Sequence, residues 1–403
     1  MKKKLIISVS FLVILIVFLS SYKKQQDKIV LQFASWGSKS EIELVKPMLS
    51  EYEKQNPEIK IDFMHIPQNY FQKIHLLFAS NLAPDIVFLN NLYLPIYADA
   101  GVLEDLSSFD TKPFYQKALD SLSYKGKLYA IPRDVSNLVI YYNKDIFDKY
   151  NVAYPYKKWT MQDFLITCKK LTKDTNSDGN TDIWGVSFEE EPILFYLPYL
   201  MSEGGGILSD DLKTQIIDSS KSKKGLNFYA DLRNKYNVAP KKSESASATM
   251  AQLFLQGRLA MQLSGRWLVP KYREEAKFDW DVINFPNGTY GSIVPMDASG
   301  WALSKSSKHK KEALKLIEFL SSYQNLQKLT KSGLIVPARN DVAKGEFSPQ
   351  NIRGKNSPFK KPRHEEVFIE VIKTSKPTPV SANYREIQDE IKKKNDYLFN
   401  SSK

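Results

Sequence analysis

The sequence predicts an α/β protein with two lobes, and three observations support that prediction. The chain of 403 residues exceeds the size at which a single hydrophobic core stops growing, so two cores are expected. Its hydrophobic content of 42%, with 12% aromatic residues, is typical of well-packed globular proteins. Strand and helix patterns alternate from residue 29 onward, which indicates parallel strands joined by helices.

The N-terminal residues are predicted to be a targeting segment. Lys2, Lys3 and Lys4 precede an apolar run from Leu5 to Leu19, and small residues follow. That run is short for a membrane-spanning helix, which needs about 20 apolar residues, but it suits a secretory signal. Residues 1–26 are therefore predicted to be a signal peptide or an N-terminal anchor of an exported protein.

The lone cysteine restricts what happens after export. Cys168 lies inside a helical pattern, is predicted to be buried, and rules out an internal disulfide. Because no Cys follows the apolar run, lipidation is not predicted there. The exported product is expected to be either a cleaved soluble protein or one held by an uncleaved N-terminal helix.

The first lobe opens with a βαβ unit. A strand pattern at Ile29–Ala34, a helical pattern at Glu41–Gln55 and a strand pattern at Ile59–His65 follow one another. Trp36 follows the first strand, at the carboxyl edge where open α/β sheets bind ligands. It is interpreted either as a platform that stacks on a sugar ring or as a tryptophan folded onto the core.

A second helix and a buried strand continue this lobe. Tyr70–Ser80 has helical spacing, and Ile86–Leu89 is continuously apolar, as buried parallel strands are. Asn90 and Asn91 follow that strand directly, so both are predicted to hydrogen-bond a ligand.

The stretch from Gly126 to Asp145 is predicted to cross between the lobes. Tyr129–Ile131 and Leu138–Tyr142 have strand character, and Pro132 is expected to end the first strand. The polar residues between the two strands are Arg133, Asp134, Ser136 and Asn137. They indicate either a ligand-facing crossing or an ordinary loop within one sheet.

Several motifs together resemble one known family. They are APDIV at 83–87, YADAGVL at 97–103, GKLYAIP at 126–132, YNKDIF at 142–147, WT at 159–160, FLQGRLAM at 254–261 and SKSSKHKKEA at 304–313. In this order, over roughly residues 28 to 340, they resemble the extracellular solute-binding proteins of sugar-type ABC transporters. That family includes proteins similar to maltose- and glycerol-3-phosphate-binding proteins.

The resemblance implies a two-lobed periplasmic-binding-protein-like clamp (type II), in which each lobe is a mainly parallel sheet flanked by helices and a hinge joins them. Lobe 1 is expected to comprise 27–134 plus 290–338, and lobe 2 to comprise 135–289 plus 339–403. Crossings are expected at Arg133–Asn137, near Asn284–Asp297 and near Pro337–Asp341.

The resemblance also implies how the protein is used. It implies a monomer that captures a sugar ligand and delivers it to ABC transporter permease subunits, in the periplasm or at the outer face of the cytoplasmic membrane. Contact with the membrane is expected only through the N-terminal segment or the permease. Gram-positive members usually carry a lipidated Cys that this chain lacks.

Further candidate contacts lie in the second half of the chain. Trp267 resembles the stacking aromatic residue that the family uses from its second lobe, and Arg266 offers a two-pronged donor. The family often contacts sugar near Tyr199 and Gly205, although the glycines at 204–206 also suit a helix stop. Asp297 and Trp301 are predicted in a loop that leads into the strand at Ala302. Each tryptophan has the alternative of a core role.

One loop resembles a calcium-binding loop in part. Oxygen-bearing side chains occupy positions one, three, five and nine, but position twelve is Gly185 instead of a glutamate; the four are Asp174, Asn176, Asp178 and Asp182. The loop is therefore interpreted either as a polar turn or as a structural Ca²⁺ site. No other cofactor is predicted.

The function predicted from these residues is capture without chemistry. Trp36, Trp267 and Trp301 are expected to stack on sugar faces, while Arg133 and Arg266 orient the ligand or pair with charge. The predicted hydrogen-bonding side chains are Asn90, Asn91, Asp134, Asn137 and Asp297.

Two alternatives are weighed against sugar capture. One is an exported binder of another solute, such as a sugar phosphate, an anionic ligand or a peptide, because the net charge of +12 leaves an anion open. The other is a glycan-processing enzyme, which the four dispersed His and the absence of a G-x-S-x-G motif disfavour. No nucleic-acid motif is found, and the lysines are scattered as on a solvated surface.

Overall fold

The computed structural model describes residues 28–191, 193–209, 211–245, 248–348 and 361–400. The predicted targeting segment at 1–26 lies outside the described residues. Within those ranges, no helix combines the length and the apolar character needed to cross a membrane.

The elements follow the predicted order closely. The strands are β1 Ile29–Ser35, β2 Ile59–His65, β3 Ile86–Asn90, β4 Ser123–Tyr124, β5 Lys127–Leu128, β6 Ala130–Asn137, β7 Val139–Asn143, β8 Trp184–Val186, β9 Leu259–Ser264, β10 Trp280–Ile283, β11 Met296–Leu303 and β12 Val336–Pro337. The α-helices are α1 Lys39–Gln55, α2 Tyr70–Ala79, α3 Leu94–Asp99, α4 Gln116–Ser121, α5 Lys144–Lys149, α6 Met161–Leu171, α7 Leu197–Ser202, α8 Ser220–Asn234, α9 Lys242–Ser245, α10 Met250–Leu255, α11 Val269–Glu275, α12 Lys310–Leu320, α13 Tyr323–Lys331, α14 Asn340–Glu346, α15 Val367–Glu370 and α16 Tyr384–Asn400. Short 3₁₀ turns occupy Ile193–Phe195, Arg266–Leu268 and Val371–Lys373.

Two sheets form the centres of the two lobes. Lobe 1 contains a six-stranded sheet in the order β12-β6-β11-β3-β1-β2, and lobe 2 contains a four-stranded sheet in the order β10-β7-β9-β8. The predicted βαβ unit is present: β1 and β2 are parallel, with Ile29 opposite Ile59. The interior of each sheet is apolar, as at Ile86–Leu89, which are fully buried.

The prediction of mainly parallel sheets is wrong, because both sheets are mixed. In lobe 1, β11 runs antiparallel to both β3 and β6, and β12 runs antiparallel to β6. In lobe 2, β7 runs antiparallel to β9 and to β10, and only β8 is parallel to its neighbour. β6 and β7 lead the chain into lobe 2, and β10 and β11 lead it back to lobe 1. Because the outgoing and returning strands run in opposite directions, β6 is antiparallel to β11 and β7 is antiparallel to β10.

The chain passes from lobe 1 to lobe 2 at the end of β6, and residues 135–137 belong to lobe 1 instead of lobe 2 as expected, because β6 continues in the lobe 1 sheet to Asn137. β6 belongs to the lobe 1 sheet and β7 to the lobe 2 sheet, so the chain crosses at Leu138. Pro132 does not end the strand, which continues to Asn137. Pro132 faces Gly300 and Asp134 faces Ser299, so Arg133 is the extra residue of a β-bulge. A bulge accommodates a residue that cannot donate to the ladder.

The positions of the other two crossings follow from the lobes to which the neighbouring strands and helices belong. The second lies between β10 in lobe 2 and β11 in lobe 1, within the predicted region. The third does not lie at Pro337–Asp341, because α14 packs on α13 and β12 of lobe 1. The chain therefore reaches lobe 2 only after Glu346.

The C-terminal segment attaches mainly to lobe 2. His364 contacts Asp281 of β10 at 2.7 Å, and α16 packs on α8. This part of the chain also contacts lobe 1, since Lys117 of α4 donates to the carbonyl oxygens of Ile372 and Ser375 at 2.8 and 2.9 Å. Contacts on both sides place this segment across the hinge.

Candidate functional site

A cavity of about 1100 Å³ lies between the two lobes. Lobe 1 contributes the loop after β1, the start of α1 and the loop after β2; lobe 2 contributes the turn after β9 and α11; and β6, β11 and β12 contribute from the hinge side. We call it the main cavity. A cleft between two hinged lobes, with polar and aromatic side chains on facing walls, is where such a molecule binds a ligand.

The lobe 1 wall is built around the loop that follows β1. Ser38 caps α1 by accepting a hydrogen bond from the amide of Glu41 at 3.2 Å. Gly37 has φ +144°, a conformation that favours glycine, and a Cβ there would also lie only 3.0 Å from the Glu41 side chain. The turn holds the start of α1 against the cavity.

Trp36 is half buried in an aromatic cluster at the edge of the main cavity. Its ring lies 4.3 Å from that of Phe88, 5.1 Å from that of Tyr70 and 5.4 Å from that of Phe71, measured between centroids. Trp36 therefore agrees with both interpretations made from the sequence. Part of its ring packs on the core, and the residue also lines the main cavity.

A buried charge cluster forms the hinge side of the main cavity. Arg133, aimed by the bulge, donates to Glu41 at 2.6 Å and to Asp134 at 2.5 Å. Its guanidinium also lies 4.2 Å from the centre of the Phe88 ring. Burial raises the pKa of the Asp134 carboxyl above its ordinary value, and the Arg133 guanidinium opposes that rise. The cluster joins the start of α1 to the hinge strand.

The lobe 2 wall carries Trp267, directly after β9. The ring of Trp267 folds over Gly265, where a Cβ would collide with it. Glycine at this position is therefore what permits the observed orientation of the ring. Trp267 is half buried and lines the main cavity from lobe 2, as Trp36 does from lobe 1.

Arg266 lies beside Trp267 and is 2% exposed. It donates to the Glu365 carboxylate at 3.0 Å, and to the carbonyl oxygens of Thr330 at 3.1 Å and of Ile335. Glu365 is also paired with Arg273. The Arg266 guanidinium therefore links lobe 2 to the backbone of lobe 1 and to the C-terminal segment.

A second cavity of about 620 Å³ also lies between the lobes. We call it the side cavity. It is lined by α2 and α3 of lobe 1, by the segment from Glu190 to Tyr196 of lobe 2, and by α16. Phe71 and Tyr93 stack in its wall with ring centroids 3.7 Å apart. Phe71 also contacts Trp36, which lines the main cavity, with ring centroids 5.4 Å apart.

Five of the residues predicted from the sequence line the main cavity, and they are Trp36, Arg133, Asp134, Arg266 and Trp267. They come from both lobes and from the hinge, as expected for a shared site. The two arginines, however, are committed to carboxylates of the protein itself.

Three other predicted residues hold the hinge strands together and line neither cavity. Asn91 donates to Asp297 at 3.0 Å and accepts from the amide of Ala298 at 3.1 Å. Asn137 donates to the carbonyl oxygen of Phe368 at 2.7 Å. Burial raises the pKa of the Asp297 carboxyl, while the hydrogen bond from Asn91 counters the rise. Their polar groups serve the fold in this structure.

The remaining predicted residues also lie outside both cavities. Trp301 sits within β11 and not in a loop, as Asp297 also does, and Trp301 is 4% exposed against Phe88. Tyr199 is 1% exposed within an aromatic core that includes Phe285. Asn90 accepts a hydrogen bond from the amide of Tyr93.

Gly205 is explained by packing between elements. A Cβ at Gly205 would lie 2.5 Å from the Ser222 hydroxyl of α8. The close approach of this turn to α8 therefore requires glycine, and Gly205 lines neither cavity.

Sequence reasoning missed several residues that line the cavities. Glu41 lines the main cavity, and Tyr93 and Glu191 line the side cavity. Ser136, which the sequence named among the polar residues of the crossing but not as a single contact, also lines the main cavity. For Ser136, one signal was available in the sequence. Side chains alternate between the two faces of a strand, so Ser136 is on the same face of β6 as Asp134. The contribution of α16 depends on a contact between distant parts of the chain, which no local pattern reveals.

The loop at 174–182 uses its carboxylates within its own backbone. Asp174 accepts from the amides of Ser177 and Gly179, and Asp182 accepts from the amide and hydroxyl of Thr175. In the part of the chain that the structure describes, no group of three His, Cys, Asp or Glu is placed to hold a metal. Calcium binding by Asp174, Asn176, Asp178 and Asp182 stays a prediction.

Comparison with known proteins adds three kinds of similarity. A model of the bacterial extracellular solute-binding protein family matches residues 37–327. The maltodextrin-binding protein of Bacillus subtilis is 24% identical over 322 residues, covering 77% of this chain and 73% of that protein. An ABC substrate-binding protein from Listeria monocytogenes, solved in complex with cycloalternan, superimposes with a TM-score of 0.83 at 28% identity, covering 93% and 94% of the two chains.

A second solved structure has the same fold at lower identity. The solute-binding protein of an ABC transporter from Thermotoga lettingae, bound with α-D-tagatose, superimposes with a TM-score of 0.80 at 22% identity. The superposition covers 92% of this chain and 94% of that one. Both structures match almost the whole length of both lobes.

Proposed function

This chain belongs to the bacterial extracellular solute-binding protein family, and on that premise we propose that it captures a carbohydrate outside the cytoplasm and delivers it to an ABC importer. The observation that supports sugar as the ligand is the main cavity, which Trp36 lines from lobe 1 and Trp267 lines from lobe 2. The apolar faces of indole rings match the C–H faces of sugar rings. The relatives named for maltodextrin and solved with cycloalternan and tagatose are consistent with this ligand class.

The proposed mechanism is closure of the lobes around the ligand. Closure excludes water from the cleft, which strengthens hydrogen bonds to sugar hydroxyls. It also creates a composite surface from both lobes that a permease can distinguish from the open form. The protein is proposed to act as a monomer, which light scattering after gel filtration checks.

A thermal-shift screen over mono- and oligosaccharides tests ligand capture. A ligand present at 100 times its Kd should stabilise the protein by about 2.7 kcal/mol. That corresponds to a rise in Tm of several degrees for a protein of this size. A folded protein whose Tm no carbohydrate raises would contradict sugar capture.

Replacement of Trp267 tests whether this side chain contributes to sugar binding. Trp267→Ala is expected to weaken binding of any sugar that raises Tm by about 5-fold or more, because a stacked ring contributes about 1 kcal/mol beyond the area it buries. Isothermal titration measures the change. Trp301→Phe is the matched control, since Trp301 lies in the core strand β11; equal losses in both variants would remove Trp267 from the site.

Catalysis and calcium binding are each tested by a separate experiment. Members of the family are binding proteins, and we expect no turnover when the protein is incubated with labelled oligosaccharides.

For the loop at 174–182, titration of chelator-treated protein with Ca²⁺ tests the predicted calcium site. Heat of binding that Asp178→Asn abolishes would support the site, and absence of heat would contradict it.

A further inference from the structure

We propose that the end of lobe 1 opposite the main cavity binds an anionic lipid surface, and we call this end the basal face. The side chains that form it are all exposed, and they are Val30, Leu76, Leu82, Lys305, Lys308 and Lys311. The inference goes beyond ligand capture and does not depend on which ligand the cleft takes. It is supported by the position of these residues in the fold, by their charge and apolar character, and by the place where the chain enters lobe 1.

Asp85 brings the parts of the basal face together. Its carboxylate accepts hydrogen bonds from the amide of Gln32 at 2.8 Å and from the hydroxyl of Ser307 at 2.5 Å. Its carbonyl oxygen accepts from the amide of Ser304 at 2.8 Å. The first residues of β1, the loop before β3 and the segment after β11 therefore lie side by side at one end of the lobe 1 sheet.

The segment after β11 gives the basal face its positive charge. Residues 304–315 include five lysines and one glutamate, and Lys310 is paired with Glu104 at 2.7 Å. Within the part of the chain that the structure describes, three exposed lysines of this segment form no ion pair, and they are Lys305, Lys308 and Lys311. A cluster of lysines of this kind is attracted to the negative potential of anionic lipids.

Exposed apolar side chains lie at the same end of the sheet. Leu82, in the loop between α2 and β3, and Leu76, in the last turn of α2, are each 67% exposed. Val30, the second residue of β1, is 47% exposed. Surfaces that bind membranes combine apolar side chains, which enter between the headgroups, with lysines that attract anionic lipids. A soluble polyanion would use the lysines alone, so the leucines favour a lipid surface.

The chain enters lobe 1 at the basal face. β3 begins level with Phe33, so residues 29–32 of β1 extend beyond it at this end. The predicted targeting segment at 1–26 is therefore attached to lobe 1 beside the lysines and leucines. If this segment is not cleaved, it holds the basal face next to the bilayer, and the face then orients lobe 1 on the lipid.

Binding of lipid at the basal face leaves the cleft accessible. Trp36 follows β1 at the opposite end of the strand, six positions after Val30, which corresponds to about 20 Å. The main cavity, which Trp36 lines, therefore lies away from the lipid. Ligand capture and lipid binding can then occur at the same time.

A fluorescent label tests lipid contact at a defined position of the full chain. Because Cys168 is buried, an environment-sensitive maleimide would react with a cysteine introduced at the surface. The label on Leu82→Cys should shift its emission to shorter wavelength with vesicles that contain phosphatidylglycerol, and not with phosphatidylcholine alone. Ile166→Cys, at a position 41% exposed on α6 of lobe 2, is the matched control and should not shift.

This comparison is independent of the N-terminal segment, because each label reports the surroundings of its own position. No shift on Leu82→Cys would overturn the inference. An equal shift on Ile166→Cys, or an equal shift with phosphatidylcholine alone, would also overturn it.

Lysine variants of the labelled protein test the charge. K305Q/K308Q/K311Q should raise the lipid concentration that gives half of the shift at least 10-fold at low salt, because three cations are removed from the face. K213Q/K241Q/K242Q removes three exposed lysines of lobe 2, and this matched control should change that concentration less than 3-fold. Equal effects of the two triple variants would show that net charge alone governs binding, which would overturn the basal face.

A soluble polyanion tests the other class of partner. Brominated acyl chains should quench the label on Leu82→Cys, because the leucine position enters between the lipid headgroups. Polyphosphate should compete only weakly with the vesicles. If polyphosphate releases the protein from vesicles at a lower phosphate concentration than that of the anionic lipid, the lysines bind a soluble polyanion and the lipid proposal is wrong.

Discussion

At the residue scale, the polar side chains near the hinge show why chemistry alone does not assign a role. Asn91, Asn137 and Asp297 carry the groups that a sugar site needs, but here they bond to one another or to backbone carbonyls. A buried strand end and a ligand site both require hydrogen-bond partners. The sequence cannot distinguish a polar residue that stabilises a strand end from one that binds a ligand, because it does not show what each side chain faces.

Glu189 gives a residue-scale prediction about pH. It is half buried after β8, and burial raises its pKa from the ordinary 4.5 to about 7. The folded protein therefore holds this proton more tightly than the unfolded chain does. The resulting stabilisation is complete below pH 4.5 and is lost as the pH rises through about 7, by up to about 3 kcal/mol.

Replacement of the carboxyl isolates this effect. Glu189→Gln should flatten the dependence of the free energy of unfolding on pH between 4.5 and 7.5, measured by urea denaturation. Glu58→Gln, at an exposed position, serves as the control and should keep the slope of the native protein. An unchanged slope in Glu189→Gln would contradict the assignment to Glu189.

At the scale of elements, β6 shows how one strand serves two purposes. It pairs with β11 along its whole length in the lobe 1 sheet, its bulge places Arg133 against Glu41, and its end leads into lobe 2. A proline in a strand pattern suggested a break. Instead, β6 forms a bulge at Arg133 and stays paired with β11, a segment more than 160 positions away in the sequence.

Lys117 provides an element-scale prediction. From α4 of lobe 1, its ammonium group donates to three carbonyl oxygens, those of Ile372, Lys373 and Ser375, at the end of the helical segment 367–373. A cation at a helix C-terminus is favourable. Lys117→Met should therefore lower the free energy of unfolding by about 1 to 2 kcal/mol.

The matched control for this contact is close in sequence. Lys112→Met removes an exposed lysine and should change stability by less than about 0.5 kcal/mol. Urea denaturation measures both variants. Comparable stability of the two would show that the Lys117 contact contributes nothing measurable to holding the C-terminal segment on lobe 1.

At the scale of the whole molecule, two separate sheets joined at crossings predict a rigid-body closure. Small-angle X-ray scattering with a saturating oligosaccharide should show a smaller radius of gyration than the free protein, while the far-UV circular dichroism stays the same. A change in circular dichroism would indicate folding on binding instead. An unchanged radius with full occupancy would contradict closure.

The sequence by itself determined the family, the order of elements and the first crossing, because these depend on local periodicity and on an ordered series of short motifs. It also placed Trp36 and Trp267, which follow strands in recognisable turns. Only the tertiary structure decided which polar residues face the cleft, since Asn91 and Asp297 meet across 206 positions of chain. It also revealed that both arginines are already paired, and that α16 closes a second cavity. Such contacts depend on segments that come together only when the two lobes fold, so no local pattern contains them.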